Sequence, residues 1–307
     1  MEMRRIGSLQ VSVVGLGCNN FGGRLDEAAS ESVVHAAVDA GINFFDTADI
    51  YGGTKSEEFV GRAVASRRDR VVIATKFGVK LDDQHPGGAR PEYIRQAVED
   101  SLRRLGTDRI DLYQLHVPDA NTPISETLAA LDALVNAGKV REIGCSNFSA
   151  AQLKEAEAAA KDGARFVSVQ NHYSLLHRDG ESDVLPECER LGLAFLPYFP
   201  LANGLLTGKY RKGQPPPPGA RISGEGRFAD WLSEEKLDRV EALIQYADTR
   251  GHTILELAVS CLLARPVIAS VIAGATKTEQ IQANANSANW QLTPQEVAEI
   301  DAIVATS

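Results

Sequence analysis

Short apolar runs alternate with longer helix-like stretches along almost the whole chain. The runs are "VSVVGLGC" (Val11–Cys18), "INFFDTA", "RVVIATKFG", "RIDLYQLH", "VREIGCSNF", "RFVSVQNHYS", "LAFLPYFPL" and "VIASVIAGA". Each is short and nearly all apolar, as expected of strands buried on both faces. Between them the pattern predicts helices. One is capped by Asp26 and ends before Gly41, and one lies around Glu57–Ser66. Another starts at Pro91 and stops at Gly106. Further helices are expected near 124–137, 150–161 and 184–190, with two between 233 and 263.

Eight strands separated by helices imply a parallel sheet with right-handed crossovers. Eight such units in 307 residues fit an α/β fold of the closed (β/α)₈ TIM-barrel type. A doubly wound open sheet is the alternative. It is disfavoured because no G-x-G-x-x-G follows a strand; "GLGCNNFGG" lacks that spacing. No composition shift marks a second domain, so residues 1–307 are expected to form one. The segment "GQPPPPGARISGEGRF" (Gly213–Phe228) reads as a loop, because four prolines favour extended geometry. A loop of this length suits a lid or a tolerated surface insertion.

Composition narrows the function. Hydrophobic content of 44% supports a filled core, and a net charge of −9 repels nucleic acid and anionic membranes. No apolar run approaches the roughly 20 residues needed to span a bilayer, and the N-terminus lacks a signal-peptide pattern. The four cysteines are scattered, without metal-ligand spacing, which points to a reducing compartment, the cytoplasm. Nothing in the pattern specifies an oligomeric state.

The chemistry lies at the strand ends. These finish at Asp46, Lys76, His116, Ser146 with Asn147, Gln170 with Asn171, and Tyr198. In a parallel barrel all of them meet on one rim. A tyrosine follows the second strand in "FFDTADIYGG", where glycines after Tyr51 provide a tight turn. A phenol is a poor acid near neutrality, and a nearby ammonium lowers its pKa. Lys76 would supply that charge, Asp46 would balance it, and His116 would hydrogen-bond or relay a proton to a substrate oxygen. This set suits polarising a carbonyl. With no activated serine or cysteine and no metal cluster, hydride from a nicotinamide fits best; a Lys76 Schiff base is the rival. Ser146, Asn147 and Gln170 offer what a carboxamide needs, and Tyr198 offers a flat ring. "AGATKTEQIQAN" (Ala273–Asn284) opens a helix whose N-terminus, with Lys277, suits an anion.

These pieces together resemble the aldo-keto reductase family. The resemblance runs over essentially the whole chain, through "GINFFDTADIYGG", "VVIATKFG", "IDLYQLH", "GCSNF", "VQNHYS", "PLANGLLTGKY" and "GATKTEQIQAN". It implies a barrel closed below by an N-terminal β-hairpin, "MRRIGSLQVSVV", with C-terminal helices. It implies NADPH-dependent reduction of a small-molecule carbonyl, with NADH as the alternative cofactor. By motif match Tyr51 is the general acid, Asp46 and Lys76 lower its pKa, and His116 orients the carbonyl. Ser146, Asn147 and Gln170 would hold the carboxamide, and Tyr198 would stack on the ring. Leu201, Leu205 and Gly208 would follow the pyrophosphate. Gly274, Thr276, Lys277, Gln280 and Asn284 would lie towards the adenosine. Where many members carry an arginine for the 2′-phosphate, this chain has Gln280. The substrate pocket is expected around Asn19, Asn20, Phe21, Ile50, Phe77 and the Phe228–Trp231 segment. "SLLHRDGESDVLP" and "GLLTGKY" resemble the branch holding bacterial general reductases and potassium-channel β-subunits, so a cofactor-bound regulatory subunit is a second reading.

Overall fold

The structure is a computed structural model that describes residues 1–222 and 231–305. Part of the expected Gly213–Phe228 loop, and Phe228 itself, lie outside the described residues. The chain opens with an antiparallel hairpin, β1 (Met3–Ile6) and β2 (Leu9–Ser12). Eight barrel strands follow: β3 (Val14–Gly17), β4 (Phe44–Asp46), β5 (Val72–Phe77), β6 (Ile110–Leu115), β7 (Val140–Ser146), β8 (Phe166–His172), β9 (Ala194–Tyr198) and β10 (Val271–Gly274). They pair in parallel in the order β10-β3-β4-β5-β6-β7-β8-β9. A single parallel bridge, Phe195 to Ile268, brings the two edges together and all but closes the barrel. The helices are α1 (Glu27–Asp39), α2 (Lys55–Val64), α3 (Pro91–Leu105), α4 (Ile124–Asn136), α5 (Ala150–Ala160), α6 (Val184–Leu191), α7 (Glu234–Asp248), α8 (Ile254–Leu263), α9 (Thr278–Asn286) and α10 (Pro294–Ala305).

Local chemistry explains several boundaries. The Asp26 side chain accepts from the Ala29 N–H, which caps α1. Proline begins α3, and Gly106, at φ 60°, ends it in the left-handed conformation. One expectation needs correction. "VSVVGLGC" is not one strand; the chain leaves the hairpin after Ser12 and enters the barrel at Val14. Continuous apolarity hides the break. Buried Ser12 makes it, donating its hydroxyl to the Val14 carbonyl while its N–H donates to Asn43 Oδ1.

The hairpin has a definite task. Ile6, Leu9 and Val11 are buried against Phe44, Val72, Leu112, Leu196 and Ala269 at the lower end of the strands. The main core lies between the strands and the helices, and a second apolar cluster joins α7, α8 and α10 to the segment after β9. With its floor plugged, the interior of the barrel is open towards the rim where the strands end. Ile6→Ala should therefore lower stability by about 2–5 kcal/mol through the cavity it leaves. Chemical denaturation would read this loss, and ligand binding by the folded fraction should be unaffected.

Candidate functional site at the carboxyl ends of the strands

The centre of the rim is a buried ion pair. Lys76 has no exposed surface; its Nζ donates to Asp46 Oδ2 at 2.7 Å and to the Thr47 carbonyl at 2.8 Å. The other Asp46 oxygen accepts from Gln170 Nε2 (2.8 Å) and Gln114 Nε2 (3.3 Å). Burial alone would pull the lysine down, but Asp46 and then Tyr51 leave it above its ordinary value. The ammonium sits 5.1 Å from the centre of the Tyr51 ring.

The turn carrying Tyr51 is built for this contact. Its N–H donates to the Ala48 carbonyl, and Ser56 ties the turn to the ends of β3 and β4 through Cys18 O and Thr47 Oγ1. Gly52 has φ 59°, and a Cβ there would lie 2.1 Å from the Phe21 carbonyl, so no other residue lets the turn pack this closely. Burial raises the phenol pKa, Lys76 is the largest opposing influence, and the net result lies above the ordinary value. Sequence reasoning foresaw the lowering by Lys76 but not the larger desolvation. The phenol therefore keeps its proton at neutral pH. The His116 and Tyr51 rings meet nearly at right angles, with centroids 6.0 Å apart. Burial, followed by Lys76, holds its pKa near 3, so the imidazole is neutral, and its Nδ1 is buried without a partner.

Around this centre, Ser146 Oγ donates to the Gln170 carbonyl at 2.7 Å and accepts from Asn147 Nδ2 at 3.1 Å. Asn147, at φ 62°, also reaches the His116 carbonyl, and Tyr198 donates its hydroxyl to Asn147 Oδ1 at 2.9 Å. One face of the Tyr198 ring is nearly parallel to His172. After β9 the backbone takes a rare course. Phe199, Ala202 and Asn203 have positive φ and are followed by Gly204 and Gly208 in the same half of conformational space. Such strain collects where a ligand must be met by main-chain groups. Leu201 caps this turn with its carbonyl, and Leu205 anchors it in the second core. Asn203 Nδ2 is buried and unpartnered.

On the far side, β10 ends at exposed Gly274, and α9 starts after Lys277, which gives no side-chain cap. Gln280 folds back so that its Oε1 accepts from the Thr276 N–H at 2.7 Å; Asn284 is buried. Three cations escaped sequence reasoning. Burial and then the charges of Arg24 and Arg221 hold Lys209 below its ordinary pKa, so the three lie close together. Arg221 also donates to Asn20 Oδ1 at 3.1 Å. Their separation in sequence hid the cluster; only the "GKY" after the strained turn signalled it.

Phe21 and Phe77, expected near the pocket or equally in the core, have no exposed surface, and Phe77 stacks on Tyr113 in the main core. They are large apolar residues beside strand ends, where a pattern cannot tell inward from outward. Asn20 is buried and Ile50 half-buried. Trp231 meets His172 and Phe199. Among the described residues no group of His, Cys, Asp or Glu could hold a metal ion, and no helix is long and apolar enough to cross a membrane.

The pair makes a direct prediction. Asp46→Asn removes the counter-charge of a fully buried ammonium and should cost about 3–5 kcal/mol, more than any exposed ion pair here. Urea denaturation beside Glu92→Gln, an exposed pair with Arg95, would measure the contrast.

Comparison with known proteins agrees with this geometry. The chain is 36% identical to the aldo-keto reductase YhdN of Bacillus subtilis (strain 168), covering 96% of this chain and 91% of that one. It is 33% identical to a rice protein named "Probable voltage-gated potassium channel subunit beta", covering 99% and 97%. The holo form of the aldo-keto reductase AKR11C1 from Bacillus halodurans superposes with a TM-score of 0.83 at 33% identity, covering 100% and 97%. A model of the Aldo/keto reductase family matches residues 13–305, and the chain belongs to that family of oxidoreductases.

Proposed function

We propose that the protein reduces an aldehyde or ketone to the alcohol, reversibly, with NADPH and with Tyr51 as general acid. The observation that carries this reading is the buried Lys76 ammonium, paired with Asp46 at 2.7 Å and lying 5.1 Å from the Tyr51 ring. Bound, the dinucleotide supplies a hydride. The residues fit such a group. Lys209, Arg24 and Arg221 are cations grouped beside the strained turn, and such a group attracts an anionic pyrophosphate. The unpartnered Asn203 Nδ2 and the strained turn from Phe199 to Gly204 offer donors beside them. Ser146, Asn147 and Gln170 are set for a carboxamide, with Tyr198 as the stacking face. Leu201, Leu205 and Gly208 carry the turn, and Gly274, Thr276, Lys277, Gln280 and Asn284 line the adenosine end. Lys277 is then the charge left for a 2′-phosphate, in place of an arginine.

The proton chemistry follows from the chain itself. Neutral His116 and the Tyr51 hydroxyl both direct N–H or O–H groups at one substrate oxygen. As that oxygen becomes negative, Tyr51 releases its proton to it, and Lys76 stabilises the phenolate that remains. Asp46 keeps the ammonium charged and fixed in place. Ile50 and Trp231 are the apolar surfaces offered to the substrate. The likeness to a channel subunit favours a regulatory role only if turnover is absent, and the intact group of four argues for chemistry.

Tyr51→Phe tests the assignment, because it removes only one oxygen. It should cut kcat by several orders of magnitude and leave the dinucleotide Kd within a few-fold. Turnover near the wild-type rate would sink the mechanism.

A further inference from the structure

Behind the catalytic turn lies a carboxylate that none of the preceding chemistry uses. Asp49 is 1% exposed, and no side chain hydrogen-bonds either of its carboxyl oxygens; the Ile50 N–H lies near them without closing a well-formed bond. It stands two residues from Tyr51, and its main-chain N–H donates to the Lys76 carbonyl at 3.1 Å. The groups facing it come from four elements. Glu57 of α2 has both oxygens engaged, by Arg104 at 2.6 Å and by Thr75 at 2.6 Å. Arg104 and Tyr93 belong to α3, Lys76 to β5 and Tyr113 to β6. The hydroxyls of Tyr93 and Tyr113 are also buried and unpartnered.

The charges balance without Asp49. Arg104 is paired with Glu57, and Lys76 with Asp46. An ionised Asp49 would be a third buried anion beside two cations already in use, which is costly. As a neutral acid it brings no third charge to be balanced, and its burial then costs much less. Resting on the assignment of Tyr51 as acid, we infer that Asp49 is held as a neutral carboxylic acid behind the catalytic turn and is a positioning residue whose ionisation weakens the support Lys76 gives to the Tyr51 anion. Desolvation and then the Glu57 charge bring its titration to about 7; Arg104, the Ile50 N–H and Lys76 oppose this without outweighing it. Ionisation at higher pH adds a second negative charge that draws on the Lys76 ammonium, which then offers less to the forming phenolate. Reduction should therefore slow as pH rises through neutrality.

The test is Asp49→Asn, which keeps the shape and cannot ionise. Because the unfolded chain ionises this carboxyl near pH 4 and the folded chain only near 7, wild type loses stability between those values. The Tm advantage of the variant should thus grow from about pH 4 to about pH 7 and stay constant above that. Curves that run parallel across this range would overturn the neutral acid. The same variant should lose the fall in kcat/KM near neutrality that wild type shows. A fall that persists unchanged, with the Tm difference growing as described, would overturn the positioning role. The stability arm does not involve Tyr51, so its outcome is separate from the reductase reading. Should Asp49→Asn not fold, infrared spectra of the wild type with carbon-13 aspartate decide: a protonated-carboxyl band must be present at pH 5 and vanish through about pH 7, and its absence overturns the inference.

Discussion

The rim depends on one constraint: an ammonium buried without any exposed surface must be balanced. Asp46 meets it, and the cost of burial then fixes much else. Gln170 and Gln114 are drawn in to complete the carboxylate. Gln170 in turn presents its carbonyl to Ser146, and Ser146 steadies Asn147, whose side chain reaches the carbonyl beside the His116 ring and the Tyr198 hydroxyl. Groups from six strand ends thus hang on one ion pair. The pair also sets the ammonium that opposes the effect of burial on the Tyr51 phenol.

The rest of the fold delivers residues to that point. A plugged floor leaves the upper rim as the open end. Parallel strands bring their ends to the same side. Gly52 lets the Tyr51 turn lie against Phe21, and the strained turn after β9 sets Gly204 close against Lys209. The strain is held by Leu205 and Leu206, both buried in the second core. Stability stored in that core keeps the turn in a shape it would not adopt alone.

Much of this was legible in the sequence. Eight apolar runs and their helices gave the barrel, because strands buried on both faces have an unmistakable pattern. Polar residues at the strand ends gave the cluster on the rim, since a parallel barrel turns sequence position into spatial convergence. What failed has a common cause. Apolarity does not show where a strand breaks, so the turn at Ser12 was missed. It does not show which side of a wall a ring occupies, so Phe21 and Phe77 could be read equally as pocket or as core. Arg24, Lys209 and Arg221 come together only through loops, and no periodic signal links them. The Asp49 environment depends on α2, α3 and β6 packing together, which no single segment encodes.

The central claim is that this rim is a dinucleotide-dependent carbonyl reductase site organised by the Asp46–Lys76 pair. Fluorescence titration of the purified protein with NADPH and, separately, NADH tests it most directly. The account predicts saturable binding of NADPH, tighter than NADH, with Lys277 providing the difference. Binding of neither would contradict the account and reopen a Schiff-base role for Lys76.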